Sequence, residues 1–228
     1  MSVQAGRKKR AWLGWIPAGI LVIAIIGVGV ASAVLVGGGL GAPAPRPTKG
    51  QVTDLNWSIF TTDGLDFIAS ARQVRIDLSS PPIEAGLLGL DDDGTLVLDP
   101  IDNIDTTLDY DLIVNGGGEG AGGFRSVVTQ ITIVTEGGLV THVTAPLRDV
   151  INFRQTLDVL VGEADVFGWD TSDIDAIYQT AADATRAGTG YEFTFGPADA
   201  AGTPVSATAR CDTSGYCIVA YDVTPPVR

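Results

Sequence analysis

Residues 139–162 read LVTHVTAPLRDVINFRQTLDVLVG, and the spacing of their apolar side chains changes partway along. Over 139–144 apolar and polar residues mix at strand spacing, with the parity of His142 matching Val140 and Thr144. From Leu147 the apolar positions Leu147, Val150, Ile151, Leu157, Leu160 and Val161 share a helical face. Pro146 suits a first turn and Gly162 a helix end, so the spacing predicts a strand followed by one helix.

Downstream, Asp170, Thr171 and Ser172 offer N-cap oxygens for a second helix. Its apolar stripe is Ile174, Ile177, Tyr178 and Ala181, and Gly188 suits the residue after its end. Three short strands are expected next, at 191–195, 205–210 and 217–223. Upstream, Glu136-Gly137-Gly138 joins strand candidates 127–135 and 139–144 as a hairpin. The rest of the first half also reads as strands. Residues 55–61 are followed by an Asp63-Gly64 turn signal, 74–78 alternate, and Pro81-Pro82 breaks that run. Asp93-Gly94 is a hairpin signal before 95–98, and 107–114 runs into the Gly-rich stretch 115–123. Strands, two helices, then strands make an α+β layout: an antiparallel sheet with a helix pair on one face.

The first fifty residues are different in kind. They hold no acid and six basic residues, Arg7, Lys8, Lys9, Arg10, Arg46 and Lys49. Residues 11–36 are strongly apolar and uncharged, about 39 Å as a helix at about 1.5 Å per residue. That exceeds a hydrocarbon core of about 30 Å, so a single transmembrane helix is expected. Trp12 and Trp15 suit the headgroup region. Four charges in the basic tail 1–10 against two beyond the span place the N-terminus in the cytoplasm and residues 51–228 outside. The rival reading is a signal peptide cleaved after Ala31-Ser32-Ala33, against which the long apolar run continues through Val34, Leu35 and Val36. Residues 37–50, with Gly37-Gly38-Gly39 and an Ala-Pro repeat, read as a tether.

All 27 acids and the remaining eight basic residues, every one Arg, lie beyond residue 50, so residues 51–228 carry −19. Such a surface repels phosphate backbones, so a nucleic-acid partner is excluded. One His and two Cys exclude a zinc site built from those ligands. The absence of Lys after Lys49, with abundant Gly, Ala, Asp and Thr, fits a high-GC coding bias and a bacterial source.

Few residues point to chemistry. Cys211 and Cys217 bracket a five-residue turn between two expected strands, and outside the membrane they are expected to form a disulfide. Asp91, Asp92, Asp93, Asp99, Asp102, Asp105, Asp109 and Asp111 crowd into 21 positions, and hard oxygen ligands of this kind suit Ca²⁺. An EF-hand is excluded: Asp93-Gly94 at loop positions five and six puts Gly89 and Pro100 where ligands are required. A looser Ca²⁺ site, with Asp91, Asp92, Asp93, Asp99 and Asp102 as candidates, stands against ordinary use of Asp in turns and on solvated surfaces. No nucleophile elbow, phosphate loop or dinucleotide fingerprint is present. The functional expectation is a non-enzymatic binding module for an envelope ligand or protein, anchored by residues 11–36. The alternative is a carboxylate-dependent envelope hydrolase assisted by Ca²⁺.

Overall fold

The computed structural model describes residues 46–102, 107–117, 122–147 and 151–227. The expected cytoplasmic tail, the apolar run 11–36 and residues 37–45 of the expected tether lie outside these. No helix among the described residues is long and apolar enough to cross a membrane.

The described chain is a mixed α+β fold with antiparallel sheets and three α-helices. It begins with a helix where a strand and a turn were expected: α1, Thr62–Ala71. The Asp63-Gly64 pair that reads as a turn lies in its first turn. Thr61 caps it by accepting from the Gly64 N–H, and Asp63 sits where the helix dipole favours an acid. Gly64 is there because a Cβ would come within 1.7 Å of the Ile59 carbonyl oxygen. After α1 come strands β1 (Gln73–Asp77), β2 (Gly94–Leu98), β3 (Ile101–Asp102), β4 (Thr107–Leu108), β5 (Tyr110–Asn115) and β6 (Gly123–Val128). Strands β7 (Ile131–Glu136), β8 (Leu139–Pro146) and β9 (Ile151–Asn152) follow, then helices α2 (Phe153–Phe167) and α3 (Ile174–Ala187). Strands β10 (Tyr191–Ala198), β11 (Val205–Cys211) and β12 (Tyr216–Val223) close the fold.

Two main sheets form. The larger runs β10-β11-β12-β8-β7-β2, antiparallel throughout, with β9 also paired to β12. The smaller runs β1-β5-β6, and its β1–β5 pair is parallel, unlike the antiparallel arrangement expected. The chain between β1 and β5 gives β2 to the other sheet, so β5 returns beside β1 in the same direction. Asp93-Gly94 is therefore no hairpin. Gly94 opens β2, which pairs with β7, and a 3-10 turn (Ala85–Leu88) precedes it. The expected strand 127–135 splits at Thr129, whose N–H bonds the Pro146 carbonyl. The Glu136-Gly137-Gly138 hairpin is as expected, between β7 and β8.

The helix expected from Leu147 starts later and runs further. Pro146 ends β8, Ile151 and Asn152 form β9, and Asn152 caps α2 by accepting from the Gln155 N–H at 3.0 Å. Gly162 lies inside α2, which ends at Gly168 in the left-handed region. Thr156, Leu157, Leu160, Ala164 and Phe167 form its buried face over β11 and β12, while α3 packs on β10. Burial of a side chain such as Leu160 stabilises by about 1.5–3 kcal/mol. The expected N-cap of α3 is displaced. Asp173 precedes the helix without a capping bond, and Asp170 accepts from the Ser172 N–H within the preceding turn. Gly188 ends α3 at φ 66°.

The inner face of the larger sheet meets the helices, and β6 reaches the same core through Phe124. Phe124 packs edge-on to Phe167 and close to Tyr221, and Trp169 stacks on Phe167 and donates to the Val205 carbonyl at 2.9 Å. Val74, Ile76, Leu112 and Val114 of the smaller sheet belong to this core.

Candidate ligand-binding face

The outer face of the larger sheet is built by alternation. In β11 the residues Val205, Ala207 and Ala209 point into the core, so Ser206, Thr208 and Arg210 point out. In β12 the outward set is Ile218, Ala220 and Asp222, and in β8 it is His142, Thr144 and Pro146. Register then aligns them across strands. Ser206, Asp222, Thr144, Thr132 and Val97 form one row over five strands. Thr194, Thr208, Ala220 and Pro146 form the next. Thr132, Thr144, Pro146, Thr208, Ala220 and Asp222 of these rows line a shallow cleft of about 300 Å³, whose other polar groups come from Gln130 and Arg210.

The polar groups are tied to one another. Arg210 Nε donates to Glu192 at 2.6 Å, and the Thr194 and Thr208 hydroxyls are 3.0 Å apart. His142 Nδ1 lies 3.2 Å from Asp222, with the Thr224 hydroxyl 3.4 Å away. His142 thus stands on this exposed face with Thr144 and not with Val140. A register shift in β8 between the partners of Val134 and Thr135 puts one extra residue, Thr141, between them, so Val140 turns inward. The face can bind through hydroxyls, an amide, a guanidinium and a carboxylate, around an apolar strip of Ile218, Ala220 and Pro146.

The crowded acids serve separate places. The Asp92 carbonyl accepts from the Gly138 N–H and the Asp93 carboxylate from the Gly137 N–H, which fastens the start of β2 to the β7–β8 hairpin. Asp99 accepts from Gln130 at 3.0 Å, and its carbonyl accepts from the Tyr110 hydroxyl at 2.8 Å. Asp111 lies on the outer face of the smaller sheet, paired with Arg125 at 2.6 Å and bonded by Gln73. Burial pushes the Asp111 carboxyl up, but the Arg125 and Gln73 hydrogen bonds and the Arg125 charge outweigh it and hold the group below the usual range. Asp91 borders a different cleft with Phe60 and Thr95. Asp102 stands on β3, and Asp105 lies outside the described residues. Among the described residues no three His, Cys, Asp or Glu side chains converge as a metal site. Cys211 and Cys217 are cross-strand partners with their Cα atoms 3.9 Å apart, and their sulfurs are bonded.

One polar pair was not foreseen. Tyr221, 1 % exposed, donates its hydroxyl to Glu163 of α2 beneath the sheet. Burial, then the Glu163 hydrogen bond and charge, push the phenol far up, against a smaller opposing effect of Ser126, so it stays protonated. Burial also raises the Glu163 carboxyl, which the Tyr221 bond opposes. The signal was present: Glu163 falls three residues after Leu160 and four before Phe167, on the core-facing stripe. Ending the helix at Gly162 hides it. The outer-face rows were equally unforeseen, because alternation marks outward residues without showing which strands lie side by side.

No protein-family model, curated protein or solved structure matches this chain.

Proposed function

We propose that the chain is a single-pass membrane protein of a bacterial envelope, with its N-terminus cytoplasmic and its acidic domain outside as a binding module. The apolar run 11–36, its four leading positive charges and the Gly/Pro tether support the anchoring. The disulfide is consistent with an oxidising exterior. One observation carries the binding reading. The larger sheet is packed on its inner face and leaves aligned polar rows and a cleft of about 300 Å³ on its outer face. A domain carrying this much negative charge repels polyanions, so the ligand class is a polar, neutral or cationic envelope component.

The test is retention of the detergent-solubilised full chain on separated envelope fractions. Thr132→Lys with Thr144→Lys fills the cleft with two bulky cations and touches no core residue. Retention on one fraction that the double variant loses, at unchanged melting temperature, supports the reading. Equal retention of both proteins refutes the face, and release of a cleaved product replaces binding by hydrolysis.

A further inference from the structure

The edges of the two main sheets are finished differently. β10, at one end of the larger sheet, carries Pro197 and a register shift between Phe195 and Ala198, two devices that blunt an edge. In the smaller sheet β1 is bonded by Ser58, whose N–H donates to the Arg75 carbonyl at 2.8 Å and whose Oγ accepts from the Arg75 N–H at 2.9 Å. β6 ends in a bridge between Val128 and Leu147. β2, at the other end of the larger sheet, has none of these. It pairs with β7 in unbroken register, holds no Pro, and has no second strand beside it among the described residues. Alternate residues of such a strand turn their N–H and C=O groups away from the sheet, which leaves a template for one more strand. Gly94, Thr95 and Val97 are exposed.

A slot of about 160 Å³ opens beside this edge, lined by Phe60, Leu90, Leu96, Ile133 and Thr135 with the exposed Asp91 among them. Ile133 and Thr135 point inward and Leu96 pairs with Ile133, so the slot lies on the side of β2 away from the outer-face cleft. A strand added to β2 directs every second side chain to this side. The slot offers apolar walls to a methylene stem and a carboxylate to a cation, which matches a Lys or Arg side chain.

Charge selects the same occupant. Asp91, Asp92 and Asp93 precede β2 and Asp99 follows it, all exposed, and no basic residue stands between Arg75 and Arg125 in the sequence. Asp93 accepts from the Gly137 N–H and Asp99 from Gln130, neutral donors that bring no positive charge. The same acids exclude a second copy. In an antiparallel pair of β2 strands centred on Leu96, Asp93 of each copy faces Asp99 of the other, and like charges directly opposite are destabilising. An incoming strand with basic residues at its ends meets attraction instead.

We infer that the free edge of β2 takes an extended cationic peptide of a partner protein as an added strand, held by main-chain hydrogen bonds and by one Lys or Arg in the slot beside Asp91. The test titrates the detergent-solubilised full chain into a fluorescent peptide, KTVKVTK, blocked at both ends, and reads anisotropy. Two companion peptides are the charge-reversed ETVEVTE and a KTVKVTK whose central backbone nitrogens are methylated, which keeps its charge and loses its donors. Amide hydrogen exchange over residues 94–98 reads the site.

KTVKVTK is expected to bind, more weakly as salt rises, and to slow exchange over 94–98, while neither companion binds. Asp91→Asn weakens that binding by up to about fivefold, the worth of one exposed ion pair, at unchanged melting temperature. Equal binding of the methylated peptide, or exchange over 94–98 that stays as it was, shows attraction by charge alone and overturns the added strand. Binding of ETVEVTE, or no binding by any of the three, overturns it as well. Native affinity in the Asp91→Asn chain removes the cation from the slot. Exchange over 94–98 that slows in the free chain as its concentration rises puts a second copy on the edge and refutes the inference.

Discussion

Tyr221→Phe removes one hydroxyl and keeps the ring among Phe124, Phe167 and Trp169. The lost bond is to the Glu163 carboxyl group, whose charged form it favours. Hydrogen bonds to charged groups contribute about 1.5–3 kcal/mol, and the variant also leaves Glu163 without its donor in a half-buried site. A loss of about 2 kcal/mol lowers the melting temperature by about 4–8 °C for a domain of this size. Two opposing pH effects follow. Burial raises the Glu163 carboxyl, so the folded state binds its proton more tightly than the unfolded state. Glu163 by itself therefore makes the native domain lose stability as pH rises from below the ordinary Glu value through the raised one. The Tyr221 bond acts in the lowering direction, so its contribution is present above that window and fades as the pH falls through it. The gap between native protein and Tyr221→Phe is thus widest at neutral pH and narrows on acidification. Glu163→Gln keeps an acceptor for Tyr221 while removing the buried charge, and flattens this dependence. Thermal melts of the three proteins from neutral to acidic pH read the effect. A Tyr221→Phe gap that stays constant with pH, or that widens in acid, refutes the pairing.

Three further outcomes are expected. The purified protein shows no free thiol under non-reducing conditions, and Cys211→Ser with Cys217→Ser lowers stability by up to about 2–3 kcal/mol without abolishing the fold, read by thiol titration and denaturant unfolding. Gly162→Ala raises stability by about 0.5–1 kcal/mol in the same unfolding assay, since the residue lies inside α2 and a Cβ there meets nothing within 4 Å. Ca²⁺ and Mg²⁺ at matched ionic strength shift the melting temperature equally, because Asp93, Asp99 and Asp111 are engaged at separate places. A shift from Ca²⁺ alone that Asp91→Asn, Asp92→Asn and Asp93→Asn together abolish would instead establish a specific site.

Local signals survived folding where local physics decides them. The β7–β8 hairpin, the stop at Gly188, the three closing strands and the bonded cysteines follow from turn chemistry and alternation within a few residues. What failed was decided at a distance. Asp63-Gly64 has the composition of a turn but serves a helix start, because Ile59 approaches too closely for any side chain at position 64. Gly162 looks like a helix end, yet a glycine on the exposed side of α2 costs less than the buried face of Ala164 and Phe167 returns. The parallel β1–β5 pair and the outer-face rows depend on strand order, which periodicity does not encode. A one-residue shift in β8 moved His142 to the opposite face from Val140. The acids were visible as a run, but their partners Gln73, Arg125, Gln130 and Gly137 come from four other places in the chain.

An envelope-binding role requires the acidic domain to lie outside the cell, and a protease tests that most directly. Added to intact, wall-stripped cells, it is predicted to digest residues 51–228 and leave a membrane-embedded fragment carrying the basic N-terminus. Recovery of a soluble form beginning at Val34 would show that the apolar run is a cleaved signal. A domain fully protected until the membrane is breached, with the short N-terminal tail cut instead, would reverse the orientation and contradict the account.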